Sequence, residues 1–350
     1  MKISEMMQRE DFYKINERTL ANFYPETAEH STLYIYPKLN AIVTHNPSQK
    51  VVDYLITEYS VRSSIKRVLT KLYVILAMRT GGLMADKKER ISTSISHDTL
   101  IYPCNKKYRI FDFNSNSVSV IPKDGFDDSD LKHEIEFRQK SDNPDFVPKL
   151  IGIASRGYSE SIINGRPLAR MPYGYDEYKH KAYEAFRLVY IKTNRDVDGL
   201  NYAGRLYNKI ISCLTEKIKD KASVLKTIHF LKKKVSELDT ITLTFSHGDL
   251  QPGNIWIENN TNQIFIIDWE SWGERSAWYD YDTLFNGLRP GSISNYLNTE
   301  LDISRKSVVL LEDIIFQINE LNSLPQNFGE DKFLQYIELI SSWAKENDNG

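Results

Sequence analysis

The chain has little cysteine. Only Cys104 and Cys213 occur in 350 residues, too far apart for metal-ligand spacing and too few for a disulfide framework. A reducing, cytoplasmic setting is the expectation. Charge of one sign is also missing: 45 Lys and Arg stand against 47 Asp and Glu, a net of -2. Nothing therefore argues for non-specific binding to nucleic acid, and no aromatic-and-basic RNA-binding motif is present. The start, MKISEMMQRED, has no apolar core after its first Lys and does not read as a signal peptide. Long hydrophobic runs are absent as well. The best candidate, IKRVLTKLYVILAMRTGGLMA (65–85), is broken by Lys66, Arg67, Lys71 and Arg79, so it cannot span a bilayer. It reads as a buried core helix with outward-reaching basic ends; a helix lying in a membrane interface is the alternative.

What is present is concentrated in residues 245–270, FSHGDLQPGNIWIENNTNQIFIIDWE. Phosphoryl transfer from a nucleotide to a hydroxyl needs a carboxylate beside the attacking oxygen and oxygen ligands that hold magnesium against the phosphates. Asp249 and Asn254 lie on one short loop after the apolar run Ile241 to Phe245. Ile255–Ile257 and Ile264–Ile267 then read as a hairpin, separated by the turn formers Asn259, Asn260, Thr261 and Asn262. Such a hairpin returns Asp268 to the end at which Asn254 began.

His247, Gly248, Asp249, Pro252 and Asn254 in this register, followed by strand, turn, strand and Asp268, resemble the catalytic segment of the aminoglycoside phosphotransferase and choline kinase superfamily. The resemblance implies an α+β, bilobal protein kinase-like fold: a small antiparallel β lobe and a larger helical lobe, here with an added amino-terminal segment. It implies Asp249 as catalytic base, Asn254 and Asp268 as Mg2+ ligands, and His247 as a brace for the loop. Asp280, in Trp278-Tyr279-Asp280, matches an Asp that anchors the catalytic loop; Asp282 and a plain helix cap compete with that assignment.

Domain limits follow from changes of pattern. Residues 1–95 are a mixed extension, with helical stretches near Glu5–Phe23 and Pro47–Met78 around a strand-like Thr32–Tyr36. Residues 96–163 form the expected amino-terminal lobe, with short strands at Thr99–Tyr102, Tyr108–Phe113 and Ser117–Ile121. The resemblance calls for a third-strand Lys paired with a Glu of the following helix. Lys123 ends that strand, residues 127–140 read as the helix with Ser129 or Asp130 as its cap, and Glu134 is the partner, Glu136 the alternative. The GxGxxG phosphate loop of protein kinases is lacking. Its turn holds Asn105, Lys106 and Lys107, either a solvated turn or an electrostatic cover for phosphates. A strand beginning at Val147–Gly152 leads to Tyr158–Leu168, where the resemblance implies a hinge whose backbone from Ser161 to Ile163 meets the adenine edge, with Gly165 supplying a turn; an edge strand with a turn is the alternative.

Residues 164–350 become helical, with apolar residues at helical spacing in 183–190, 206–218, 224–238, 308–321 and 333–344. This helical lobe carries the catalytic segment 245–270. Glu270, Trp272 and Glu274 are the acceptor candidates, since carboxylates and aromatic faces suit a cationic or sugar acceptor. Core packing competes for Trp269, Trp272 and Trp278. The expectation is a Mg2+-dependent kinase using ATP or GTP and a hydroxyl of a sugar, amino alcohol, aminoglycoside or glycan precursor. A kinase-like scaffold without turnover, and a nucleotidyl transferase or protein modifier, are the rival readings.

Overall fold

A computed structural model describes residues 3–59, 64–104, 106–140, 144–171, 173–324 and 329–348. Asn105 of the anticipated phosphate-side turn lies outside the described residues. In chain order the elements are α1 (Ile3–Phe23), β1 (Ser31–Tyr36), β2 (Ala41–Thr44), α2 (Gln49–Glu58), α3 (Ser64–Arg79), β3 (Lys87–Ile91), β4 (Thr99–Pro103), β5 (Lys107–Asp112), β6 (Ser117–Pro122) and α4 (Ser129–Lys140). Next come β7 (Leu150–Ala154), β8 (Gly157–Ser161), β9 (Gly165–Pro167), α5 (Tyr175–Tyr190), β10 (Arg195–Asp198), α6 (Gly199–Cys213), α7 (Lys221–Ser236) and β11 (Thr240–Ser246). The chain ends with β12 (Ile255–Glu258), β13 (Ile264–Ile266), β14 (Gly273–Ser276), α8 (Tyr279–Phe285), α9 (Ile293–Leu297), α10 (Ile303–Ser323) and α11 (Glu330–Asp348). The class is α+β, as expected.

Two units divide the chain: residues 1–182 with 253–270, and 183–252 with 271–350. The first is built on an antiparallel eight-stranded sheet in the order β3-β1-β2-β4-β5-β6-β8-β7. The anticipated boundary near residue 95 is therefore not a break in the structure. β1, β2 and β3 come from the amino-terminal extension and continue the sheet through the pairing of β2 with β4 at Ile42↔Ile101 and Val43↔Leu100. Edge pairing of this kind depends on partners distant in sequence, which explains why the segment looked separate.

Alternation along β5 sets the two faces of this sheet. Tyr108 and Ile110 pack with Ile121, Leu33, Ile35 and, from α1, Tyr13 and Leu20. Phe111 points the other way, into a core shared with Val51, Tyr54 and Leu55 of α2, Val74 of α3, Leu131 of α4 and Trp256 of β12. Residues 253–270 thus belong by packing to the sheet unit rather than to the helical one. The small sheet β13-β12-β9 depends on Gly165: a Cβ there would meet Ile257 O at 2.2 Å, so the glycine serves close strand approach.

α3 departs from expectation. Val74, Ala77 and Met78 are buried, but Ile65, Val68, Leu69, Leu72 and Leu76 are exposed on the outer side. The run Tyr73–Met78 is apolar on every side and gives no periodic signal to say which side is covered. No described helix is long and apolar enough to cross a membrane.

The second unit is mainly helical. α6, α7, α10 and α11 enclose an apolar core that includes Leu206, Ile228, Leu231, Leu311, Ile314 and Ile337. Asp198, Asp220 and Asp302 cap α6, α7 and α10 through the amides of Asn201, Ser223 and Arg305. Each such cap contributes about 1 kcal/mol. The three-stranded sheet β10-β11-β14 delivers the chain into the loop that carries Asp249.

Candidate active site

In the sheet unit, acidic and basic groups converge on one face of β5. Lys107 Nζ lies 2.8 Å from Asp268 Oδ1, 2.8 Å from Glu270 Oε2 and 3.5 Å from Glu134 Oε2. Arg109, two residues along and hence on the same face, places Nη2 3.3 Å from Asp268 Oδ1 and 3.6 Å from Glu160 Oε1. α4 buries Leu131, Glu134, Phe137 and Arg138, a helical spacing that presents Glu134 to this cluster. Arg138 bonds Glu160 at 2.5 Å and approaches Glu134 at 3.5 Å, so every buried charge has an opposite neighbour. Burial pushes the Glu134 carboxyl up, but Lys107 and Arg138 outweigh it and hold the group below its usual range. Burial likewise disfavours the Lys107 ammonium, yet Asp268, Glu270 and Glu134 keep it protonated well above the ordinary lysine range.

The lysine that faces Glu134 is therefore Lys107, not Lys123. Lys107 pairs with Pro122 across β5–β6, so Lys123 falls on the opposite face. There its ammonium lies 5.4 Å from the Tyr108 ring centroid, and burial pushes its pKa down to about 8. Nor is Lys107 part of a solvated turn: it is buried, while Lys106 pairs with Asp130 at 2.8 Å. Glu136 is exposed and pairs with Lys140, which leaves Glu134 as the buried carboxylate of α4.

The β12–β13 hairpin forms with Ile255 opposite Ile266. One step beyond, the Ile267 amide donates to Asn254 O at 2.9 Å, so Asn254 and Asp268 sit at the same end of the hairpin. Asp268 adopts φ +63°, a left-handed conformation that Asp tolerates better than most residues. Trp269 then anchors the turn: its indole donates to Ile266 O at 2.9 Å, its amide donates to Glu134 Oε1 at 3.3 Å, and its ring stacks on Phe137 at 4.2 Å. Among the described residues no cluster of three or more His, Cys, Asp or Glu could hold a metal alone. One amide and one carboxylate oxygen are nevertheless a hard donor pair suited to Mg2+ when phosphates supply further ligands. Asn254 and Asp268 supply residues of those two types at one end of the hairpin.

At the expected hinge, the Ser161 amide donates to Lys149 O at 2.9 Å and the Ile162 amide to Asn116 O at 3.3 Å, while Ile163 O accepts from Gly165. Much of that backbone is thus already engaged within the protein.

In the helical unit, Asp249 lies on the loop after β11. Gly248 before it has φ +85°, and a Cβ there would meet Ser271 O at 2.1 Å, so only glycine fits. Asp280 Oδ2 and Oδ1 accept from the amides of His247 (2.9 Å) and Gly248 (3.2 Å). Asp282 faces elsewhere, to Arg305, Asn286 and Tyr296, and burial raises its pKa. His247 is fully buried and its Nδ1 accepts from the Asp249 amide at 3.2 Å. The Asp249 carboxylate receives Arg289 Nε at 2.9 Å and Nη2 at 2.6 Å on Oδ1, and Gln251 Nε2 at 2.9 Å on Oδ2.

Arg289 is the functional candidate that the sequence did not expose. Besides Asp249 it bonds Gly248 O at 3.1 Å and the buried Asp313 of α10 at 2.8 Å. Asp313 also accepts from Tyr279 (3.0 Å) and Tyr336 (2.6 Å), tying the loop to the helical core. Nothing in the sequence links Arg289 to Asp249, forty positions earlier. The acceptor candidates separate: Glu270 is drawn to Lys107, Trp272 stacks on Phe245 at 5.4 Å, and Glu274 forms surface pairs with Arg195 and Arg205.

No protein-family model and no curated protein matches the chain. Among solved structures it is similar to choline and ethanolamine kinases and to aminoglycoside phosphotransferases. These include an ethanolamine kinase from Plasmodium vivax, at 12% identity over 85% of this chain and 95% of that one, TM-score 0.42. A choline kinase from Cryptosporidium parvum matches at 15% identity over 72% and 92%, TM-score 0.43. The GDP complex of aminoglycoside 2'-phosphotransferase-IIIa matches at 18% identity over 69% and 90%, TM-score 0.41.

Proposed function

We propose that the protein is a Mg2+-dependent kinase that transfers the γ-phosphoryl group of ATP or GTP to a hydroxyl of a small molecule or glycan precursor. The observation that carries this reading is the hairpin that brings Asp268 beside Asn254 while Lys107, braced by Glu134, reaches Asp268. Two oxygen ligands and a protonated lysine at one place are what a polyphosphate needs.

Mg2+ held by Asn254 and Asp268 would neutralise charge on the donor phosphates. Lys107 and Arg109 add positive charge on the same strand face. Asp249 takes the proton of the acceptor hydroxyl; two nitrogens of Arg289 hold its Oδ1, and Oδ2, which accepts from Gln251 Nε2, is the oxygen that meets the hydroxyl. Asp280 and His247 hold the loop backbone, so the carboxylate needs little rearrangement to act. Sugar, amino alcohol and aminoglycoside acceptors all fall within this chemistry. Screening such hydroxyl compounds for Mg2+-dependent ADP or GDP release tests the reading; loss of release in Asp249→Ala supports it, and unchanged release removes Asp249 from the mechanism.

A second reading, a kinase-like binding protein without turnover, is favoured by the two cations on Asp268 Oδ1, which compete with a metal. Calorimetry with Mg2+ and nucleotide separates the two, since absence of binding favours the scaffold.

A further inference from the structure

Resting on that reading, we infer that α2 is a built-in competitor for the nucleotide base, with the Tyr54 ring filling the slot that the base must enter. β5 carries Lys107, Arg109 and Phe111 on one face, so Phe111 lies about 13 Å along the strand from Lys107. β12 begins directly after Asn254 and presents Trp256 two residues on. One surface thus has a charged end, at Lys107, Arg109, Asn254 and Asp268, and an aromatic end, at Phe111 and Trp256. A nucleotide has the same polarity: phosphates at one end, a flat apolar base at the other. The aromatic end is filled. Tyr54 is buried, its ring 5.0 Å from Phe111, 5.3 Å from Phe113 and 6.4 Å from Trp256, nearly parallel to the last at 18°. Ile163 of the hinge belongs to the same core, and Ile162 and Asn164 border Tyr54 in a cavity of about 370 Å³.

The far end of α2 is pinned by polar contacts. Glu58 accepts from Tyr102 Oη, and Arg170 donates to Glu58 O at 2.7 Å and Oε1 at 3.2 Å. Nucleotide therefore binds only the fraction of molecules in which α2 has swung away, and apparent affinity falls by that fraction.

Calorimetry of the full chain with Mg2+-ATP and Mg2+-GTP tests this, comparing the wild type with Tyr54→Ala and with Arg170→Ala, which loosens the latch without touching the slot. Both variants should bind at least tenfold tighter, and saturating nucleotide should speed amide exchange across 51–58 in the wild type. Unchanged affinity with unchanged exchange overturns the inference, as does a folded Arg170→Ala protein that binds no nucleotide. The kinase reading is judged separately: tighter binding without turnover keeps the plug and removes the kinase, whereas equal binding with Asp249-dependent turnover does the reverse.

A different observation points to a lipid surface. α3 has four basic residues, Lys66, Arg67, Lys71 and Arg79, and no acidic one, in a chain of net charge -2. At about 100° per residue, its exposed Ile65, Val68, Leu69, Leu72 and Leu76 fill one arc of roughly 100°, flanked by Lys66 and Lys71. Leu83 and Met84, in the turn after the helix, are exposed as well. We propose that this face docks on an anionic bilayer, apolar side chains entering the headgroup boundary and lysines meeting lipid phosphates. Flotation with phosphatidylcholine vesicles, with and without phosphatidylglycerol, should recover the wild type on the anionic vesicles alone and lose it in Leu69→Gln/Leu72→Gln. No recovery on either vesicle overturns the proposal, as does a dimer that this double variant dissociates without lipid binding.

Discussion

Lys107 Nζ and Asp268 Oδ1 are 2.8 Å apart, joining β5 of the sheet to the end of the β12–β13 hairpin. Lys107→Met should reduce turnover by ~10²-fold, the scale for loss of one preorganised charged donor. It should also destabilise the fold by about 3 kcal/mol or more, because Glu134 loses a buried partner. Lys123→Met, on the other face, should leave turnover near wild type. Steady-state kinetics and urea unfolding of both variants check this.

Arg289 holds the Asp249 carboxylate through two nitrogens. Arg289→Lys keeps the charge but loses the two-point grip, so kcat should fall by ~10²-fold with little change in nucleotide KM. Arg289→Met should in addition unfold more easily, since Asp313 is left buried, and Arg289→Met/Asp313→Asn should recover stability but not kcat.

Gly248→Ala forces a side chain onto Ser271 O from a left-handed backbone. The loop must move, and turnover should fall at least as far as in Asp280→Asn, which weakens the anchor of the same two amides. Gly204→Ala, inside α6 where a Cβ meets nothing within 4 Å, is the control: it should leave activity unchanged and raise the melting temperature slightly, since Ala is favoured over Gly in a helix interior by about 0.5–1 kcal/mol.

Burial raises the Glu312 carboxyl to about 7, although Tyr202 and Ser276 donate to it. The group takes up a proton on folding, so its stabilising contribution is complete below the unfolded pKa of about 4.5 and is lost as pH rises through about 7. The loss amounts to about 3 kcal/mol at most. Unfolding free energies from pH 4 to 8 should show that decline in the wild type and a flatter profile in Glu312→Gln.

The strands at 99–121, the helix at 129–140 and the 255–266 hairpin were legible because apolar alternation, helical spacing and turn residues agree there. The choice between Lys107 and Lys123 was not, since it depends on which face each residue takes, and that is set by register with β6. Strands β1 to β3 gave no sign that they extend the same sheet, because their partners are fixed by tertiary pairing. Asp249, Asn254, Asp268 and Glu134 could be named as candidates because the pattern of residues 245–270 and the helix at 129–140 support a family resemblance. Arg289 and Tyr54 could not, for each reaches its place through contacts invisible to local pattern.

The most direct test is mass analysis of an acceptor panel incubated with Mg2+ and ATP or GTP, comparing wild type with Asp249→Asn. The account predicts an acceptor that gains one phosphate with the wild type and none above background with the variant. Equal phosphate transfer by both proteins would contradict it.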